Sequence, residues 1–137
     1  MTALLAVHSA ATYALAGLIW TVQLTHYPLF SSIGTENFRS YHARYTRQIT
    51  LIVAPLMAAE LITAALLFTR GAREPWLLVS FIPLAFNWLA TWRVQVPLHQ
   101  RLGEGFDAAV HRRLIGSNWW RTAAWTIRGV CLLYGVN

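Results

Sequence analysis

Apolar residues run in long blocks along this chain, at roughly 3–23, 49–69, 76–96 and 116–136, with polar and charged residues gathered between them. A bilayer core of about 30 Å takes about 20 helical residues, so each block has the length of one transmembrane span. The first three are apolar almost throughout. The fourth carries Arg121 and Arg128 in an otherwise apolar stretch, TAAWTIRGVCLLYGV, at the end of the sequence. The pattern predicts an all-α integral membrane four-helix bundle forming one domain over 1–137.

The connections set the topology. Arg70, Gly71, Arg73, Glu74 and Pro75 form a tight turn, with Gly ending one helix and Pro starting the next, so spans two and three are expected to be antiparallel neighbours. The other two connections, about 26–47 and 98–115, are long enough for short interfacial helices and emerge on one side. They hold Arg39, Arg44, Arg47, Arg101, Arg112 and Arg113, with Arg93 at the adjoining end of span three, against Arg70 and Arg73 opposite. That excess places the long connections in the cytoplasm and both termini outside, in a bacterial inner membrane. Trp20, Trp92, Trp119 and Trp120 at the cytoplasmic ends, and Trp76 at the far rim, suit interfacial anchors.

An ordered repeat supports two like-oriented helical hairpins. Trp20, Gln23, His26, Pro28, Gly34, Phe38 and His42 are echoed by Trp92, Gln95, Pro97, His99, Gly103, Phe106 and His111. Similarity by chance between two amphipathic hairpins is the alternative.

Composition adds one decision. The net charge of +6, with all 11 basic residues Arg, would suit nucleic acid or anionic lipid. The 56% hydrophobic content favours lipid, because a nucleic-acid protein collects its arginines on a soluble face. Expected partners are therefore membrane lipids, a lipophilic small molecule and a second copy in a homo-oligomer, with no nucleic acid. The lone Cys131 excludes an intrachain disulfide.

Two polar layers emerge from helical counting. His26, His42, His99 and His111 all fall where a span meets a long connection, and four neutral imidazoles at one depth would suit a transition metal or haem iron. No HExxH or CxxC motif accompanies them, and interfacial histidines bonded to water, headgroups or backbone are the alternative. His8 lies five turns before His26, Glu60 five turns after His42, and Arg128 a similar distance after His111. His8, Glu60 and Arg128 should then meet in the outer half of the bundle, as catalytic groups or as an ion pair that fixes packing. Thr12 and Gln23 on span one, Asn87, Thr91 and Gln95 on span three, and Asn118, Thr122 and Trp125 on span four extend these inward polar faces, and Gln23, Gln95, Asn118 and Arg121 are candidate cofactor contacts. Pro55 and Pro83 are candidate kinks opening space between helices.

QLTHYPLF, YHARYTRQITLIVAPLM, VPLH and SNWWRTAAW together resemble a group of small four-helix bacterial membrane proteins, and more distantly the anthrone-oxygenase-like family. That likeness rests on Pro97-Leu98 after span three and on Asn118 and Arg121 in span four; His99 stands where the family has Asn. It implies oxygenation of a polycyclic or quinone-like substrate. A looser likeness, through His8, Pro55 and Met57, is to small four-helix haem-binding protoporphyrinogen oxidases. The combined expectation is a membrane-bound oxidoreductase or oxygenase carrying a metal or haem on histidines. The competing ones are a small-molecule carrier built on Glu60 and Arg128, and an assembly subunit.

Overall fold

The computed structural model describes residues 2–135, which are helical with no strand among them. Four rods follow in order: α1 Thr2–Ser32, α2 Thr35–Thr69, α3 Pro75–Gly103 and α4 Ala108–Leu133. The first three are long and apolar enough to cross a membrane; α4 is not. The reason lies in how α4 distributes its residues. Asn118, Arg121, Thr122 and Arg128 are all buried, whereas Trp119, Trp120, Ile127, Val130 and Leu133 face outward. Averaging along the helix mixes an apolar outer face with a polar inner one.

The long connections suggested by the sequence are mostly helix. Only Ile33–Gly34 joins α1 to α2, and α3 passes to α4 through 104–107. The arginines and glutamines of these stretches are good helix formers, so loss of apolarity marks where hydrocarbon would end, not where the helix ends. Consequently no separate interfacial helices form.

Two wide turns interrupt the rods. Val22–His26 in α1 and Thr91–Gln95 in α3 are π-helical, each ending two residues before a proline, Pro28 or Pro97. Tyr27 donates its N–H to the Val22 carbonyl and Val96 donates to Thr91. A proline lacks an N–H and its ring presses on the carbonyl four residues back; a widened turn relieves both. The repeat in the sequence is thus structural at its X-Pro-Leu steps, which set a different register from its Trp and Gln positions. Pro55 and Pro83, by contrast, lie inside helices that continue through them.

Helix α1 packs on α2 and α4, and α4 packs on α3. The tight turn after α2 is present, with Gly71 at φ 87 and Pro75 opening α3, and Leu67, Ala72, Leu77 and Leu132 cluster beneath it. At the other end the last two turns of α3 lie against α2. Between these ends α2 and α3 do not pack as the sequence suggests, because α1 and α4 hold them apart.

The bundle buries a set of polar side chains among its apolar core and leaves large apolar ones outside. His8, Thr12, Glu60, Ser80, Asn87, Asn118 and Arg128 are fully buried, while Leu51, Ile52, Ile62, Val79, Ile82 and Leu89 are more than half exposed. Outside the apolar rods, Asp107 caps α4 by accepting hydrogen bonds from the N–H groups of Ala109 and Val110 at 2.7 and 3.0 Å. These bonds hold its carboxyl below the usual carboxylate range. Its stabilisation is therefore present above that range and disappears as pH falls through the depressed pKa. Asp107→Ala should lower the thermal midpoint at neutral pH, measured by circular dichroism, and the difference from wild type should shrink in acid.

Candidate functional site

The polar interior falls into two regions with different chemistry. In the first, Arg128 reaches all four helices. Its Nε donates to Glu60 Oε1 of α2 at 2.9 Å, one Nη to the Ser80 carbonyl of α3 at 2.5 Å, and the other to Thr12 Oγ1 of α1 at 3.3 Å. That second Nη also lies 3.1 Å from His8 Nε2. A guanidinium offers only hydrogens, so Nε2 accepts and the His8 proton sits on Nδ1, donated to Thr63 Oγ1 at 2.8 Å. Thr12 completes the group by donating to Glu60 Oε1 at 2.7 Å.

His8, Glu60 and Arg128 thus meet, and each is fully buried. Five-turn spacing works on α2 and α4 because both are continuous α-helices there. The arrangement leaves His8 no free ring nitrogen for a haem iron, and none of the three lines the large cavity described below. Its geometry is that of a closed, satisfied polar cross-link. Removing one partner strands the other charge, at a cost of roughly 3–5 kcal/mol. Arg128→Met should therefore lower stability by about that much, and Glu60→Met added to it should restore most of the loss. Denaturation in mixed micelles measures both; equal stability of the single variant and wild type would refute the cross-link.

The second region is a cavity of about 450 Å³ in the gap between α2 and α3. Leu15, Leu18, Ile49 and Val53 make much of its apolar wall; Gln95, His99, Arg121 and Trp125 contribute polar groups. It reaches the outer surface of the bundle at Ala43, Thr50 and Val96. A volume of this size suits a small lipophilic molecule. Trp125 separates the two regions: its ring lines the cavity and stands 5.1 Å from the Arg121 guanidinium, while its Nε1 points to Glu60 Oε2 at 3.5 Å.

Arg121 is buried and has no carboxylate within ion-pair distance among the described residues. One Nη donates to Asn118 Oδ1 at 2.9 Å, and Asn118 in turn donates to Gln23 Oε1 at 2.9 Å. Its Nε is buried with no hydrogen-bond partner, as is Gln95 Oε1. The Gln95 Nε2 donates to Ser117 Oγ at 2.9 Å. Of the four candidate cofactor contacts, Gln95 and Arg121 therefore line the cavity, and Gln23 and Asn118 hold Arg121 from behind.

The four histidines at the end of the long connections do not converge. Among the described residues, no group of three or more His, Cys, Asp or Glu side chains is placed to hold a metal ion. His42 Nε2 faces His99 Nδ1 at 3.0 Å, and His99 Nε2 faces the Tyr27 hydroxyl at 2.9 Å. His111 donates its Nε2 proton to the Tyr27 carbonyl at 2.6 Å. His26 is only half-buried and lies 3.4 Å from the Tyr45 hydroxyl. The wide turn at Val22–His26 explains the failure: its extra residue shifts the phase, turning Tyr27 inward where unbroken counting from His8 puts His26. A metal or haem ligated by this quartet does not fit the donors as they stand. Phe30, packed against the rings of His42, His99 and His111, makes this end an aromatic cluster.

Tyr27, Tyr45, Thr63 and Ser80 were not singled out by the sequence. For Tyr27 the available signal was the proline that follows it; Ser80 contributes only a carbonyl, which no side-chain pattern reveals. Compared with known proteins, the chain matches no family model, no curated protein and no solved structure.

Proposed function

We propose that this chain is an integral membrane four-helix bundle that binds a lipophilic small molecule in the cavity between α2 and α3. The observation carrying this reading is the gap itself: two helices joined by a tight turn are held apart, and the space left is lined by a mainly apolar surface with polar groups from all four helices. The inverted polarity of the surface supports insertion in a bilayer. The arginine excess on the side of the long connections supports a cytoplasmic placement for them, with the termini outside and the chain folded as two like-oriented hairpins. In this setting Ala43, Thr50 and Val96 form a lateral entrance from the lipid.

A carrier or receptor of a membrane-soluble ligand accounts for these features without a metal. The carrier expectation is thereby moved from the Glu60–Arg128 pair to the wall that includes Arg121. A second reading keeps an oxidoreductase acting on a quinone-like molecule. It is favoured by the hydrogen-bonded chain His42–His99–Tyr27, which runs along the cavity and is built to pass a proton to or from a bound head group.

The binding reading is tested by photo-crosslinking in nanodiscs with a neutral C16 alcohol carrying a diazirine. Labelling should concentrate on Ile49, Val53 and Val96 rather than spread over Leu51, Ile82 and Ile127, and Thr46→Trp should abolish the concentrated label. Even labelling of all six positions would overturn it.

A further inference from the structure

Resting on that binding reading, we infer that the ligand is an amphiphile with a single anionic head, a long-chain carboxylate or its equivalent, and that Arg121 is the residue that takes the head. The inference begins with a charge that the protein leaves uncompensated. An ionised side chain inside an apolar bundle is costly unless paired, and the other buried arginine, Arg128, is paired with Glu60 at 2.9 Å. Arg121 is 5% exposed, yet among the described residues no carboxylate approaches it. Asn118 Oδ1 takes one N–H and the Trp125 ring lies near the cation, but both are neutral, and Nε has no partner at all.

The side chain is held for a purpose other than packing. Gln23 orients Asn118, Asn118 orients the guanidinium, and the guanidinium lines the cavity. The Tyr27 phenol stands beside it as a further neutral hydrogen-bonding group and also pairs with His99 Nε2 at 2.9 Å. The remaining polar groups of the wall are the neutral Gln95, Gln100, Thr46, Thr50, Thr91 and the two tyrosines, and the imidazoles of His42 and His99, which are hydrogen-bonded to each other at 3.0 Å. Arg121 is thus the one permanently charged group of the wall and calls for a negative charge, which makes a neutral lipophile the weaker partner. Leu15, Leu18, Ile49 and Val53 then receive the apolar tail.

The test compares two diazirine probes of equal chain length, a C16 fatty acid and the neutral C16 alcohol, in nanodiscs of zwitterionic lipid at neutral pH. In wild type the acid should label the cavity residues at about tenfold lower concentration than the alcohol, the advantage expected of a charge-assisted hydrogen bond. Arg121→Gln should weaken labelling by the acid far more than labelling by the alcohol, so that the preference is lost, and Arg121→Lys should retain a preference for the acid. Addition of phosphatidylglycerol to the nanodiscs distinguishes the source of the anion: competition with the acid identifies a bilayer lipid as an occupant of the same anionic subsite, and its absence identifies a free carboxylate. Equal labelling by acid and alcohol in wild type, a comparison that needs no variant to fold, would overturn the anionic subsite and leave the cavity reading standing. Absence of cavity labelling by either probe would overturn both. Thermal stability supplies an independent readout: Arg121→Met should leave the midpoint of the ligand-free protein unchanged or raised, and a large fall would show that Arg121 is a structural cross-link.

Discussion

A buried guanidinium joins the four helices of this protein, and the rest of the arrangement depends on its being satisfied. Arg128 sits on α4, finds its counter-charge on α2, a carbonyl on α3 and two neutral acceptors on α1. In the bilayer proposed for this bundle, association of apolar helices would gain little from the hydrophobic effect, because lipid is as apolar as leucine. A charge that must be paired supplies the directional term that apolar packing lacks. It fixes which helix faces which, at the cost of placing ions in a low-dielectric interior, and such pairs serve register more than net stability.

The same cross-link bears on the open gap. Helix α4 and α1 lie side by side through the bundle, so α2 and α3 become outer helices on either flank. They are tied at the turn by Leu67, Ala72 and Leu77 and at the other end by the contact of 96–103 with α2. The proline-linked wide turns lie along the region between, and the one in α1 turns Tyr27 inward. The outcome is a cavity whose base is the interface of α1 with α4 and whose sides are α2 and α3.

The two buried arginines show how similar residues take unlike roles within a single helix. They lie seven residues apart, two turns along α4, and both point inward. Arg128 meets a glutamate and a full shell of acceptors; Arg121 meets an asparagine, an aromatic face and open space. Satisfaction makes the first a structural element. Incompleteness is what the proposed anion subsite at the second rests on.

Hydropathy blocks alone determined that the chain is helical, how many rods it has and which three are apolar enough to span a membrane, because a helix must cover about 30 Å of hydrocarbon with apolar side chains. Helical counting also brought Glu60 to Arg128, since α2 and α4 keep an unbroken period between the residues used. Counting failed on α1, where a π turn before Pro28 changes the phase by one residue and exchanges His26 for Tyr27, so the histidine quartet does not assemble. The α2–α3 gap was not legible either: a tight turn states that two helices are consecutive, whereas their separation depends on the diameters and contacts of the two helices between them. The unpaired state of Arg121 belongs to the same class. Whether a buried cation has a counter-charge is a matter of distance in three dimensions, and only the tertiary structure places Glu60 beside one arginine and leaves the other facing a cavity.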